Sequence, residues 1–481
     1  MNDAYWSSLL FLGEFIVKVI MIFVVLLQRK KTPSAKLSWI LLLVALPFVG
    51  TAIYLLIGTT RLGSLRRKRH REILELIPTG ITAHVPDAIH TVACITPVYQ
   101  SIASIAEAVG ASCVIGNNNA QLFGDSDKMI DSLAADIEKS TSHCHLLSYI
   151  MLDDHAGKKI AKVLSQATTR GVKCRILVDA VGSRDFLHSE TCHQLRKSGV
   201  AVTAALPAKL LRALLVRLDL RNHRKIAIID NDIGFVGSQN IAEPSFAPKP
   251  KYAPWVDASV RLVGPAVREL QTVFVQDWFM DSDENLSEIL KEPIRVIKDG
   301  FPVQLMATGP NSNNQALPQL LQTAFHSATE ELIITTPYFA PDTSTESALS
   351  IAAYRGVETH LVVPARNDSH LVAAASKSRY ARLLESGVNI HEYHGGLLHA
   401  KTITIDRDLA LIGSANLDRR SLELNFEISM LAYDSDFASE LRFLQQSYID
   451  KSTLLPNNEA SNWSIGQRLW QNGVGLIAPI L

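Results

Sequence analysis

The chain has 481 residues, with 47 basic and 47 acidic side chains and a formal net charge of zero. That length asks for two or three domains rather than one core, and the balanced charge removes the electrostatic case for a dedicated nucleic-acid binder. The five cysteines, Cys94, Cys113, Cys144, Cys174 and Cys192, are odd in number and show no C-x-x-C spacing, so no disulfide framework is expected and a reducing compartment is favoured.

Mean hydropathy is slightly positive, and the excess sits at the start of the chain. Leu9 to Leu27 is apolar apart from Glu14 and Lys18, which lie four apart on one helical face and can pair. Leu37 to Ile57, LSWILLLVALPFVGTAIYLLI, carries no charge. Roughly twenty helical residues cross a hydrocarbon core of about 30 Å, so the pattern predicts a membrane hairpin with helices near 9–27 and 37–57. A secretory signal does not fit: no basic residue precedes the first run, and QRKK rather than a small-residue cleavage site follows it. Arg29, Lys30, Lys31 and Lys36 separate the segments; Arg61, Arg66, Arg67, Lys68, Arg69 and Arg71 follow the second. Positive charge favours the cytoplasmic side for both clusters. Either Pro47 and Gly50 break the second segment into a re-entrant one, or the smaller cluster lies outside. Both arrangements put the large remainder in the cytoplasm.

That remainder reads as a repeat. RGVKCRILV (Arg170 to Val178) is echoed by RGVETHLVV (Arg355 to Val363), and LRKSGVAV (Leu195 to Val202) by LLESGVNI (Leu383 to Ile390). HRKIAIID (His223 to Asp230) is echoed by HAKTITID (His399 to Asp406), and each is followed after six residues by GSQN at Gly237 or GSAN at Gly413. Helical and strand patterns alternate through both copies, which predicts α/β layers. The resulting division is membrane-anchor segments at 1–60, a basic juxtamembrane linker at 61–109, a first half at 110–285, a linker at 286–299, a second half at 300–455 and a C-terminal interfacial tail at 456–481. PAKLLRALLVRLDLR (Pro207 to Arg221) fits an interfacial helix that attracts anionic lipid, or an ordinary packed helix with a basic side. In the tail, Trp463 and Trp470 suit either an interface or docking on the second half.

Residues i and i+2 of a strand share a face. His223 and Lys225 therefore point together, as do His399 and Lys401. Asp230 and Asp406 complete the two motifs with opposite parity at turns, which suits support more than attack. A hairpin returns Ser238 and Asn240, or Ser414 and Asn416, beside each His–Lys pair. Two halves facing each other give two imidazoles around one anion, the constellation for double displacement at phosphorus, with Lys225, Lys401, Asn240 and Asn416 on the phosphoryl oxygens. A working imidazole is best held by a carboxylate. Asp257 and Glu427 lie at similar places beyond each Asn. No metal or other cofactor is demanded. SHCH (Ser142 to His145) lacks a second ligand cluster and reads as the start of a strand.

The paired H-x-K-x-x-x-x-D and G-S-x-N strings resemble those of the phospholipase D superfamily. VRLVGPAV, TTPYFAPD, SGVNIHEYHGG, GSANLDRRSLELNFEI and the apolar N-terminal pair are similar to the bacterial cardiolipin synthase family. The likeness is weakest at 75–110 and in EPSFAPKPKYAP (Glu243 to Pro254), which reads as a local insertion. The resemblance implies two tandem αβα-sandwich domains about a pseudo-two-fold axis, behind a membrane hairpin in the bacterial inner membrane. It implies phosphatidyl transfer between two phosphatidylglycerols, giving cardiolipin and glycerol through a phosphatidyl-histidine. In that scheme His223 and His399 are nucleophile and acid/base, with His223 the nucleophile by analogy. Lys225, Lys401, Asn240, Asn416, Ser238 and Ser414 bind phosphate, and Asp257 and Glu427 orient the imidazoles. Water or phosphatidylethanolamine as acceptor stays open. A nuclease does not fit the membrane segments, and a lipid-binding scaffold does not fit intact motifs.

Overall fold

The apolar runs that alternate with helical stretches in each copy of the repeat become strands of one sheet. The computed structural model describes residues 2–28, 33–59, 63–77, 95–207, 217, 219–311, 313 and 315–477. The first half supplies β1 (Ile115–Phe123), β2 (His143–Ser148), β3 (Lys173–Asp179), β4 (Ala201–Ala205), β5 (Ile226–Ile229), β6 (Ile233–Gly237), β7 (Trp255–Val256) and β8 (Ser259–Val263). The second supplies β9 (Phe301–Thr308), β10 (Glu331–Thr335), β11 (Phe339–Ala340), β12 (Glu358–Pro364), β13 (Asn389–Tyr393), β14 (Leu397–Leu398), β15 (Thr402–Ile405), β16 (Leu409–Gly413), β17 (Leu417–Asp418), β18 (Glu427–Tyr433) and β19 (Ser452–Leu454).

Outward from the middle, the first half runs β1-β8-β6-β5-β2-β3-β4 and the second β9-β18-β16-β15-β10-β12-β13-β19. The pairing senses match step for step. β2 and β3 are parallel, as are β10 and β12, while the His-bearing hairpins β5–β6 and β15–β16 are antiparallel. The halves do not keep separate sheets. β1 pairs antiparallel with β9, Ile115 opposite Val303 and Asn118 opposite Phe301, so 15 strands form one continuous sheet. β2 and β10, each between one parallel and one antiparallel neighbour, are buried along their whole length. The largest core cluster takes residues from both halves, among them Phe274, Trp278, Ile412 and Met430.

The N-terminal region differs from the expected hairpin. Helix α1 (Asn2–Leu26) carries the Glu14–Lys18 pair at 2.6 Å. The second apolar segment is not one helix: α2 (Pro33–Ala45) stops, Leu46 turns out of helical geometry, and Pro47 opens α3 (Pro47–Ile57). Proline has no N–H to give the preceding turn and its ring crowds that carbonyl, so the break falls where the sequence places it. A Cβ on Gly50 would lie 2.8 Å from the Leu42 carbonyl oxygen, so α3 folds back closely on α2. At 13 and 11 residues, these helices are about 20 and 17 Å long. Among the described residues, no helix is long and apolar enough to cross a membrane. Phe11, Phe15, Phe23, Leu41 and Phe48 nonetheless stand exposed, large apolar side chains of the kind that meet lipid.

The basic run after α3 is docked rather than free. Helix α4 (Ser64–Leu76) lies along the helix Val267–Ser282. Arg66 pairs with Asp281, and Arg69 with Asp283 at 2.9 Å. Ile73 and Ile77 enter the central core, each adding about 1.5–3 kcal/mol of apolar burial. Residues 78–94, most of 208–218, and 478–481 lie outside the described residues, and with them Cys94 and most of the basic apolar stretch before His223. Helix Gln100–Val109, placed in the linker by sequence, packs through Ile102 and Ala106 into the core of the second half.

Candidate active site

β5 and β15 begin one residue after Lys225 and Lys401, which leaves each His–Lys pair where its strand emerges from the sheet. On the way in, each half leans on the other. Asn222 bridges to Phe426 and the His223 amide donates to the Phe426 carbonyl at 2.9 Å. β14 pairs with β7, and the His399 amide donates to the Val256 carbonyl at 2.7 Å. The carboxylate that follows each of these segments is thereby placed across the interface. Glu427 takes His223 Nδ1 at 3.0 Å, and Asp257 takes His399 Nδ1 at 2.6 Å. Each imidazole is oriented by the opposite half.

Burial holds both imidazoles down at about 4, against the pull of their carboxylates. The carboxylates are lowered as well, against the effect of burial: His399 holds Asp257 down at about 2, and His223 with Lys225 lowers Glu427. Both carboxylates are therefore ionised and both imidazoles neutral. In that state Nδ1–H donates to the carboxylate and the Nε2 lone pair is free, as a nucleophile or base requires.

Lys225 Nζ donates to the His223 carbonyl at 2.6 Å, and Lys401 Nζ donates to the His399 carbonyl. Burial depresses both ammonium groups, Lys401 to about 7 and Lys225 well below its ordinary value. A phosphodiester beside them would restore their charge.

The Gly-Ser-x-Asn strings divide their work differently from the expectation that Ser and Asn both meet phosphate. A Cβ at Gly237 would lie 2.5 Å from the Ala258 carbonyl oxygen, and one at Gly413 2.3 Å from that of Ile428. Only glycine lets these hairpins approach the next strand so closely. The serines are fully buried and face away from the cleft. Ser238 Oγ donates to Asp257 and Ser414 Oγ to Glu427, both at 2.5 Å. Their hydroxyls fix the carboxylates that fix the imidazoles. Asn240 and Asn416 do line the cleft. Asn240 Oδ1 accepts the Ile150 amide at 3.0 Å, and Asn416 Nδ2 donates to Ser421 Oγ at 3.2 Å.

Asp230 and Asp406 are outside the cleft, so their placement with the catalytic set gives way to a structural one. Both sit in the left-handed region, φ 53° and 52°, at the turns of the two hairpins. Asp230 accepts the amides of Thr141, Ser142 and His143 at 2.7–2.9 Å. Asp406 accepts those of Thr329, Glu330 and Glu331 at 2.7–2.9 Å. Each clamps the start of a neighbouring strand, β2 or β10. His145 of the SHCH string lies within β2, its Nδ1 3.1 Å from Gln271 Oε1 and its ring stacked on Phe274.

His223, His399, Asn240 and Asn416 open into one cavity of about 660 Å³. Further residues there had no assigned role. Tyr149 stands 4.8 Å from the His223 ring and 5.4 Å from Lys225 Nζ; Trp255 stands 4.6 Å from the His399 ring. Arg221, Tyr338 and Arg420 complete the wall. Tyr149 and Tyr338 follow β2 and β10, at the carboxyl ends of strands where α/β sheets gather ligands. The aromatic after each apolar strand is the signal that could have found them.

The Cardiolipin synthase, PLD-like domain family matches residues 133–278 and 321–446, the two halves of the sheet. The chain belongs to that family. A second match, Phospholipase D-nuclease N-terminal, covers residues 16–58. Among relatives in the cardiolipin synthase family, Cardiolipin synthase A of Edwardsiella ictaluri is 33% identical over 467 residues, 95% of each chain. That of Erwinia tasmaniensis is 34% identical over 468 residues, again 95% of each. A crystal structure of phosphatidylserine synthase from Haemophilus influenzae has the same fold, with TM-score 0.56 and 15% identity over 75% of this chain and 93% of that one.

Proposed function

We propose that the chain is a phosphatidyltransferase of the cardiolipin synthase type, taking phosphatidylglycerol as both donor and acceptor. The observation that carries the reading is the crossed pair: two imidazoles in one cleft, each held at Nδ1 by a carboxylate of the other half.

His223 Nε2 attacks the donor phosphorus and the bond to the leaving glycerol breaks. His399 gives that glycerol a proton, having gained it as the anionic phosphodiester raises its affinity for one. The resulting phosphatidyl-histidine is attacked by a head-group hydroxyl of a second phosphatidylglycerol. His399 takes the hydroxyl proton, the P–N bond breaks, and cardiolipin forms. His223 is the favoured nucleophile because its side chain is the more accessible, 11% against 4% for His399. Lys225, Lys401 and the two asparagines hold the phosphoryl oxygens through both steps.

The helical break at Pro47 supports a re-entrant seat in the cytoplasmic leaflet of a bacterial inner membrane, with α2 and α3 entering and leaving on the same side. A phosphatase reporter fused after Leu481 should then be silent in the periplasm, and activity there would overturn that orientation.

Purified protein given labelled phosphatidylglycerol alone should release cardiolipin and glycerol. Phosphatidic acid as the sole lipid product would make it a hydrolase, and a product formed only when phosphatidylethanolamine is added would change the acceptor.

A further inference from the structure

Beside the catalytic cleft lies a second cavity of about 290 Å³ that the mechanism does not use. Residues one or two apart in the chain separate the two. Lys249, Tyr338 and Asp368 line the catalytic side, and Lys251, Pro337 and Asn367 line the other. The dividing wall is held by Lys249 Nζ on Asp368 at 2.5 Å and the Tyr338 hydroxyl on Asp368 at 2.6 Å. Lys249 and Lys251 belong to the segment Glu243 to Pro254, the insertion noted in the sequence.

The second cavity is basic. Lys251, Arg366, His370 and Lys377 line it, and among the described residues no Asp or Glu does. Lys377 is partly balanced by Glu392 at 3.5 Å. Lys251 and Arg366 have no ion-pair partner among the described residues. Both instead rest on one ring, with Lys251 Nζ 5.9 Å and the Arg366 guanidinium 6.0 Å from the Tyr252 centroid. Two cations without a carboxylate partner leave positive charge uncompensated around the cavity, and a bound anion would balance it. The first turn of the helix His370–Glu385 also faces the cavity, adding the positive end of its dipole.

An apolar surface adjoins. The C-terminal helix Ile465–Ile477 packs on the helix His370–Glu385 through Val474 and leaves Ile465, Leu469, Trp470 and Leu476 exposed. A basic pocket for a head group and an apolar face for acyl chains thus share one supporting helix.

We propose that this cavity binds the phosphate of the acceptor lipid, an anionic glycerophospholipid whose head-group hydroxyl then reaches the neighbouring phosphatidyl-histidine. The proposal rests on the transferase reading above, since only a transfer between two lipids needs two phosphates held side by side.

Arg366→Glu combined with Lys251→Glu tests it. Both side chains are exposed and outside the catalytic set, so folding and the first displacement should persist. With short-chain dihexanoyl phosphatidylglycerol, glycerol release into a phosphatidyl-enzyme should keep its wild-type rate. Transfer to the second lipid should fall roughly tenfold or more per lost charge-assisted contact, seen as a raised KM for acceptor. Calorimetric titration of this lipid should show two bound molecules per wild-type chain and one per variant chain. Equal loss of both half-reactions, undiminished transfer, or an unchanged stoichiometry would each overturn the proposal. Inorganic phosphate binding there while the lipid does not would make it a free-phosphate site and overturn the acceptor role. If wild type binds two lipids yet makes no cardiolipin, the transferase reading fails instead, and the acceptor role with it, while the anion site stands.

Discussion

In the first half His223 stands beside Tyr149 and leans on Glu427; in the second His399 stands beside Trp255 and leans on Asp257. The segment after Asn240 is a loop whose Phe246 stacks at 3.9 Å on Trp255, the neighbour of the His399 ring. The segment after Asn416 is instead the short helix Arg419–Glu423, and His223 stays the more open of the two. The parts that handle protons are duplicated faithfully, while the walls around them have diverged. Symmetric chemistry therefore sits in an asymmetric crevice, and that asymmetry distinguishes attack from proton transfer and donor from acceptor.

The sharpest way to break this comparison is to remove each imidazole. His223→Ala and His399→Ala should each lower turnover by about 10²–10⁴ or more. A labelled phosphatidyl-enzyme trapped by acid quench should remain detectable in His399→Ala and vanish in His223→Ala; the reverse pattern would exchange their roles. The carboxylates come next. Glu427→Gln should slow formation of the adduct and Asp257→Asn the proton transfers, each by about 10²-fold, so that Asp257→Asn retains a trappable adduct while Glu427→Gln accumulates little.

A smaller effect concerns pH. Both imidazoles titrate at about 4 in the folded chain against an ordinary 6.5. Between those values the unfolded chain binds more protons, so stability should fall as pH drops from about 6.5 towards about 4. Denaturant midpoints across that window should decline less steeply in His223→Gln and His399→Gln; identical slopes would mean the imidazoles are not buried neutral. Ser238→Ala and Ser414→Ala remove the hydroxyl that steadies each carboxylate and should cost about 1–3 kcal/mol of transition-state stabilisation, read as kcat/KM, with KM little changed. Smallest in turnover, Asp230→Asn and Asp406→Asn should lower unfolding free energy by about 2 kcal/mol while the folded fraction keeps its kcat. A collapse of kcat at unchanged stability would return these aspartates to the chemistry.

The paired strings made the site legible because strand parity and hairpin return are local rules. They put His, Lys and Asn together and kept Asp230 and Asp406 apart. The crossing of the carboxylates was not legible. Asp257 and Glu427 could be aligned with their own histidines by spacing, but nothing local says that β7 and the residue before β18 reach the other half. The serines were misread for a related reason, since a hydroxyl at the end of a hairpin reads the same whether it faces a ligand or a buried carboxylate. The basic run of α4 carried a charge count but no hint that Asp281 and Asp283 would take part of it. At Pro47 the reverse held: the residue announced a break, and hydropathy alone would have drawn a single span across it.

The antiparallel joint of β1 with β9 speaks to ancestry. It lies on the pseudo-two-fold axis and pairs equivalent strands of the two halves, the relation found in an isologous interface between identical subunits. With each carboxylate serving the opposite half, one half alone would hold neither a complete site nor a protected sheet edge. The chain thus has the geometry of a homodimer whose two copies were joined end to end. Once joined, the copies no longer had to stay identical, which is what allowed one crevice to acquire two different sides.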